Sequence, residues 1–113
     1  MESLNIGDLC KHFKGKNLIE KNIYEIVATN VKYTGEVENC RQLNLVVYKN
    51  IFQENKFFTR EYEDLVGELS EEKQKQYNQK YRCQKLTTEE INEIKSEEFI
   101  RDKKIYMDKK GMN

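Results

Sequence analysis

The residues best suited to chemistry lie in three short stretches: "HFKGK" (12–16), "VVYK" (46–49) and "REYE" (60–63). His12, Lys14 and Lys16 stand in the first, Tyr48 in the second, and Arg60 with Tyr62 in the third. An arginine flanked by aromatics on one strand face can fork onto a phosphate or carboxylate while the rings stack a base. This is the chemistry of nucleotide recognition, and these residues form the candidate ligand-binding set. Each also has a structural alternative. Arg60 can pair with Glu61 or Glu63 across a sheet, Tyr48 and Tyr62 can be core aromatics with solvated hydroxyls, and turns between strands are commonly rich in lysine.

Signs of catalysis are missing. A single histidine, His12, cannot supply a zinc site with His partners. No GxSxG, Walker loop or GxGxxG occurs, and no serine or cysteine is framed as a nucleophile. Glu61 and Glu63 would share one strand face, as glycosidic carboxylates do, but a solvated face explains them better in so charged a chain. Cys10, Cys40 and Cys83 are an odd number at wide spacings, which fits reduced thiols, two of them partly buried. The expectation is a protein that is not an enzyme, with no catalytic residue, no metal and no cofactor.

With 113 residues, a formal net charge of zero and 37% hydrophobic content, the chain describes one small soluble domain with room for a single core. No apolar run approaches the roughly 20 residues of a membrane helix, and "MESLNIGDL" lacks the pattern of a signal peptide, so a cytoplasmic location without membrane contact is expected. Residues 1–60 carry nine Lys/Arg against seven Asp/Glu, and residues 61–113 carry eleven against thirteen. Double-stranded DNA is therefore disfavoured as a partner, since binding it rests on neutralising several phosphates.

The elements that must position these groups read as strands first and helix last. "DLCKHF" (8–13) alternates like a short edge strand, and Gly15 in the following turn is available for positive φ. "NIYEIVATNVKYT" (22–34) carries apolar residues on both faces at its start and reads as a central strand. A loop over 35–42 precedes "LNLVVYKNIF" (43–52), the strongest strand signal, and the two form a hairpin. "KFFTREYEDL" (56–65) places Phe58, Arg60 and Tyr62 on one face, and "YRCQKL" (81–86) returns as a fifth strand. Residues 70–80 read as a short exposed helix capped by Ser70, or a mobile loop.

From Thr87 the character changes. Thr87 with Glu90 forms a capping box for a helix running to Lys110 before Gly111. On a continuous wheel, Ile91, Ile94, Phe99, Ile105 and Tyr106 gather on one face, and Ile100 with Met107 falls on the opposite side as a possible self-association surface. The chain thus divides into a small β domain, 1–86, and a C-terminal helix, 87–113, packed on it or used for self-association.

"GDLCKHFKGK", "NIYEIVATNVKYTGE", "LVVYKNIF" and "FTREYEDL", in that order, resemble a small family of bacteria and their phages, domain of unknown function 1653, over residues 6–69. Arg60 corresponds to the arginine of that family's "RP" motif, without the proline; "NLIEKN" enlarges the first turn, and the helical tail lies outside the family core. The strand and helix readings give an α+β fold of about five strands with a long C-terminal helix; the resemblance implies a small, strongly bent antiparallel sheet similar to an SH3-like barrel, and singles out His12, Lys14, Gly15, Tyr48 and Arg60. It implies no activity. Likeness to small phage-borne proteins suggests a homo-oligomeric module that counters host defence by sequestering an anionic nucleotide-like signal between subunits. Two rivals stand beside it: a small barrel binding RNA or single-stranded nucleic acid, with steep salt dependence, and an interaction or inhibitor module acting through Ile100 and Met107.

Overall fold

The computed structural model describes residues 3–36 and 42–112. Its strands are β1 (Leu9–His12), β2 (Ile23–Val31), β3 (Leu45–Asn50), β4 (Phe57–Glu61) and β5 (Cys83–Lys85); its helices are α1 (Tyr62–Leu65), α2 (Glu71–Tyr77), α3 (Thr88–Lys95) and α4 (Glu97–Lys110). The strands form one antiparallel sheet in the order β4-β3-β2-β1-β5. The fold is α+β, as the alternation implied. The expected loop at 35–42 falls largely, and Cys40 entirely, outside the described residues.

β2 holds the middle of the sheet and has a core on each side. On the first face Cys10, Ile26, Val46, Tyr48 and Cys83 pack with Leu4, Leu65 and Val66; on the second, Ile23 and Leu86 pack with Ile94 of α3 and Phe99 of α4. Burying each large aliphatic side chain contributes about 1.5–3 kcal/mol, which explains why β2 opens with apolar residues in both phases. Cys10 and Cys83 are fully buried thiols rather than partly buried ones.

Four expectations are corrected. β1 is an interior strand between β2 and β5, because Leu9 and Cys10 each have a core to enter. The sheet does not close into a barrel: β4 and β5 stand at opposite edges and do not pair, and the irregularity of the sheet is confined to register shifts in β2 around Ala28. The chain turns helical at Tyr62, so Glu61 and Glu63 do not share a strand face, nor do Arg60 and Tyr62. The C-terminal helix is two helices, because Ser96 is extended (φ −69°, ψ 147°) and accepts a hydrogen bond from Phe99 N, capping α4 anew. This break shifts the helical phase. Phe99, Lys103 and Met107 now face inward, so Met107 is buried (3% exposed) while Ile100 is 50% exposed, and the two cannot form one contact surface.

The first turn is more than a solvated connection. Lys21 is buried, and its Nζ donates to Phe13 O (2.9 Å), Gln79 Oε1 (3.0 Å) and Tyr77 O (3.4 Å). From the helical side, Lys103 Nζ donates to Ile19 O and Lys21 O, both at 2.6 Å. Two ammonium groups thus satisfy carbonyls that the irregular segment 13–22 would otherwise leave buried without donors. Lys11 adds a largely buried ion pair to Glu90 of the capping box (2.6 Å), tying β1 to α3.

Candidate functional site

Strand register assembles a row of rings on the first face. Tyr48 pairs with Ile26 on one side and Phe58 on the other, Tyr24 pairs with Cys10, and His12 lies two residues beyond Cys10 on the same side of β1. Ring centroids are 6.4 Å apart for His12 and Tyr24, 4.8 Å for Tyr24 and Tyr48, and 5.8 Å for Tyr48 and Phe58, the last pair stacked at 28°. The row crosses four strands and ends at Phe58, its most open ring, 40% exposed.

Cations border this row. Arg60, opposite Val46 in the ladder, donates to Asp64 Oδ2 (3.1 Å), and Arg82 Nε approaches Asp64 Oδ1 (3.8 Å). The Arg82 guanidinium also stands 5.4 Å over the Phe13 ring. One carboxylate therefore bridges two guanidiniums. Asp64 is half exposed, and exposed ion pairs are worth at most about 1 kcal/mol, so a phosphate can displace the carboxylate at little cost.

His12 reports the local potential. Burial, and then the charges of Arg82, Lys14, Arg60 and Lys21, lower its pKa from 6.5 to about 4. The imidazole is neutral at neutral pH; its Nδ1 accepts from Lys14 N (3.4 Å), which assigns the remaining proton to Nε2. Burial raises Tyr24 to about 12 and also raises Tyr48, so both phenols keep their protons. The face offers neutral donors and aromatic surface beside an excess of positive charge.

The depressed histidine predicts acid sensitivity. Between pH 6.5 and about 4 the unfolded chain binds a proton that the folded chain refuses, so stability falls as pH drops through that window. Solvent screening of this partly exposed ring reduces the effect to about 1–2 kcal/mol. Urea titrations across the window check it: His12→Gln should lose less stability than the parent chain.

His12, Tyr48 and Arg60 come together on this face, and Lys14 lies near enough for its charge to act on His12. Lys16 does not join them. It is exposed and lines a separate cavity of about 280 Å³ with Asn17, Lys21 and Glu90. Tyr62 does not join them either, since its hydroxyl accepts from Leu4 N (3.0 Å) and donates to Leu4 O (3.3 Å), anchoring the segment before β1. Residues not anticipated are Tyr24, Phe58, Arg82 and Asp64; the pairing of β1 with β5 that delivers Arg82 has no local sequence signal. A larger depression, about 410 Å³, includes Glu25, Lys49, Glu54, Lys56 and Phe57 and mixes both signs of charge.

Among the described residues, no group of three His, Cys, Asp or Glu is placed to hold a metal ion, and no helix is long and apolar enough to cross a membrane. No family model matches this chain, and no curated protein or solved structure matches it.

Proposed function

We propose that this chain is a non-enzymatic binding module for a small anionic nucleotide-like ligand, a phage-type protein that holds its ligand between subunits. The observation that carries the reading is the junction of the aromatic row with the Arg60–Asp64–Arg82 cluster. The anionic group displaces Asp64 from the two guanidiniums, which fork onto it. The base stacks on Phe58, a contact worth about 1–3 kcal/mol for aromatic platforms. Lys14 adds long-range attraction, and the Nε2–H of His12 and the tyrosine hydroxyls supply neutral donors. The likeness to domain of unknown function 1653 belongs to this proposal, because His12, Lys14, Tyr48 and Arg60 are among the residues it singles out.

Native mass spectrometry of protein purified from cells, followed by equilibrium dialysis with nucleoside mono- and diphosphates and cyclic dinucleotides, tests the reading. A retained adduct of nucleotide size is expected. Arg60→Ala and Arg82→Ala should each weaken binding about 10–100-fold, the loss of one charge-assisted contact, while the chain stays folded. Absence of any adduct and of binding by these probes would refute the proposal. Tight binding of oligonucleotides instead, weakening steeply with salt, would assign the face to single-stranded nucleic acid.

A further inference from the structure

The two edges of the sheet differ. Just ahead of β5 the edge is covered, because Arg82 N donates to Gly67 O, Leu69 N donates to Lys80 O, and Glu68 bridges Tyr81. Beside β4 no described strand follows. Tyr62 N donates to Asn44 O, which sets the alternation of the β3–β4 ladder: Phe58 and Arg60 bond toward β3, while the amides and carbonyls of Phe57, Thr59 and Glu61 point to the open edge. Natural edges are blunted by proline, bulges, very short strands or charged side chains. β4 has no proline and no bulge over its five residues, its charges are one of each sign, Arg60 and Glu61, and its Phe57 and Phe58 are 59% and 40% exposed.

We propose that a second copy of the chain occupies this edge, β4 pairing antiparallel with β4 about a two-fold axis at Thr59. Charge selects the register. Centring on Arg60 sets it against the partner's Arg60, and centring on Phe58 sets Lys56 against the partner's Arg60; like charges directly opposite are unfavourable in a ladder. Centring on Thr59 places no like charges opposite one another. Thr59 then meets the partner's Thr59, Phe57 meets the partner's Glu61, and Arg60 lies across from the partner's Phe58 in cation–π geometry.

The consequence for the binding face is direct. Phe58 is the outermost ring of the row and Arg60 borders it on the same strand, so the dimer joins two rows into one surface, with the partner's Phe58 and Arg60 completing each site. This deepens the nucleotide reading and rests on it for the joined site, though not for the dimer. A five-residue edge buries less than the roughly 1,200 Å² of a stable interface, so the unliganded dimer is weak and ligand touching both copies tightens it.

Sedimentation equilibrium of the full chain from about 1 to about 100 μM tests the dimer. Thr59→Pro removes an outward N–H without touching the β3 ladder, a kind of edge-strand position where proline is tolerated; it should weaken dimerisation at least about 10-fold with its melting profile retained. Thr59→Cys supplies an independent test. Directly opposed residues in a hydrogen-bonded pair have Cα atoms about 5.5 Å apart, within disulfide reach. Mild oxidation should therefore link residue 59 to the partner's residue 59, mapped by peptide mass spectrometry, whereas Glu61→Cys should not link to itself. If Thr59→Pro fails to fold, the cross-link decides. A chain that stays monomeric and gives no 59–59 link, or a dimer indifferent to Thr59→Pro, overturns the inference. A dimer with the 59–59 link that binds no nucleotide upholds it while removing the ligand reading; a monomer that binds nucleotide overturns the dimer, and with it the holding of ligand between subunits, while upholding the ligand class.

Discussion

Lys103→Ala should lower folding stability by about 3–5 kcal/mol, one of the largest single-residue effects expected outside the apolar core. Lys103 is buried, with Nζ donating at 2.6 Å to Ile19 O and Lys21 O, and it stands 5.5 Å over the Phe52 ring. Truncation leaves both carbonyls without that donor, at about 1–3 kcal/mol each, and adds a cavity where the stem lay. Relief from holding a charge away from water offsets part of this loss. Lys103→Met, which keeps the stem and loses only the ammonium, should therefore cost less, about 1–3 kcal/mol. Urea denaturation of the three chains gives the ranking.

The same lysine carries a pH signature. Burial lowers its pKa from 10.5 to about 8. Between these values the unfolded chain is protonated while the folded chain is not, so the group adds stability as pH rises through that window. Tyr24, raised to about 12 by burial, acts oppositely above pH 10. The useful range is therefore pH 8 to 10. Parent and Lys103→Met should converge in neither direction by chance: the parent gains stability relative to the variant across that range, and equal slopes would mean the ammonium is solvated.

Much of the scaffold was legible because local chemistry decides it. The five strands were visible in alternation and in β-branched runs, and Thr87 with Glu90 forms the capping box its spacing announces, with Ser70 capping α2. Lys21 and Lys103 were not legible. Lysine is rarely buried, and what buries these two is a set of carbonyls drawn from distant parts of the chain. The helix break at Ser96 was hidden by an apolar pattern that runs through it, although serine before two glutamates is itself a start signal. The site shows the same division. His12, Tyr48 and Arg60 could be named from residue type, but Tyr24, Phe58 and Arg82 join them only through strand order. Tyr62 and Met107 lie apart from the residues expected beside them because a strand became a helix and a helix became two.

Gly15→Ala tests whether the basic opening of the chain acts as a built loop or a passive turn. Gly15 has φ +120°, and a Cβ there would lie 2.9 Å from the carbonyl carbon of Glu20 and 3.0 Å from Lys21 N. Both are backbone atoms, so no side chain can swing aside. Strain at that φ costs about 1–3 kcal/mol and overpacking a similar amount, so a loss of about 2–4 kcal/mol is expected. Gly7→Ala is the control: its φ is +90°, but nothing lies within 4 Å of the added carbon, so it should show the conformational cost alone, about 1–2 kcal/mol. The damage should also reach the aromatic face that holds His12. The displaced loop carries Lys14, whose amide bonds His12 Nδ1, and Lys21, whose charge helps depress His12. Loosening it exposes the imidazole and moves two cations away, so the His12 pKa should climb from about 4 toward 6.5. Proton NMR of the chain's single histidine reads this without assignment ambiguity. An unchanged His12 titration in a destabilised Gly15→Ala chain would mean that loop and face are mechanically independent, and that Lys14 has no fixed place in the site.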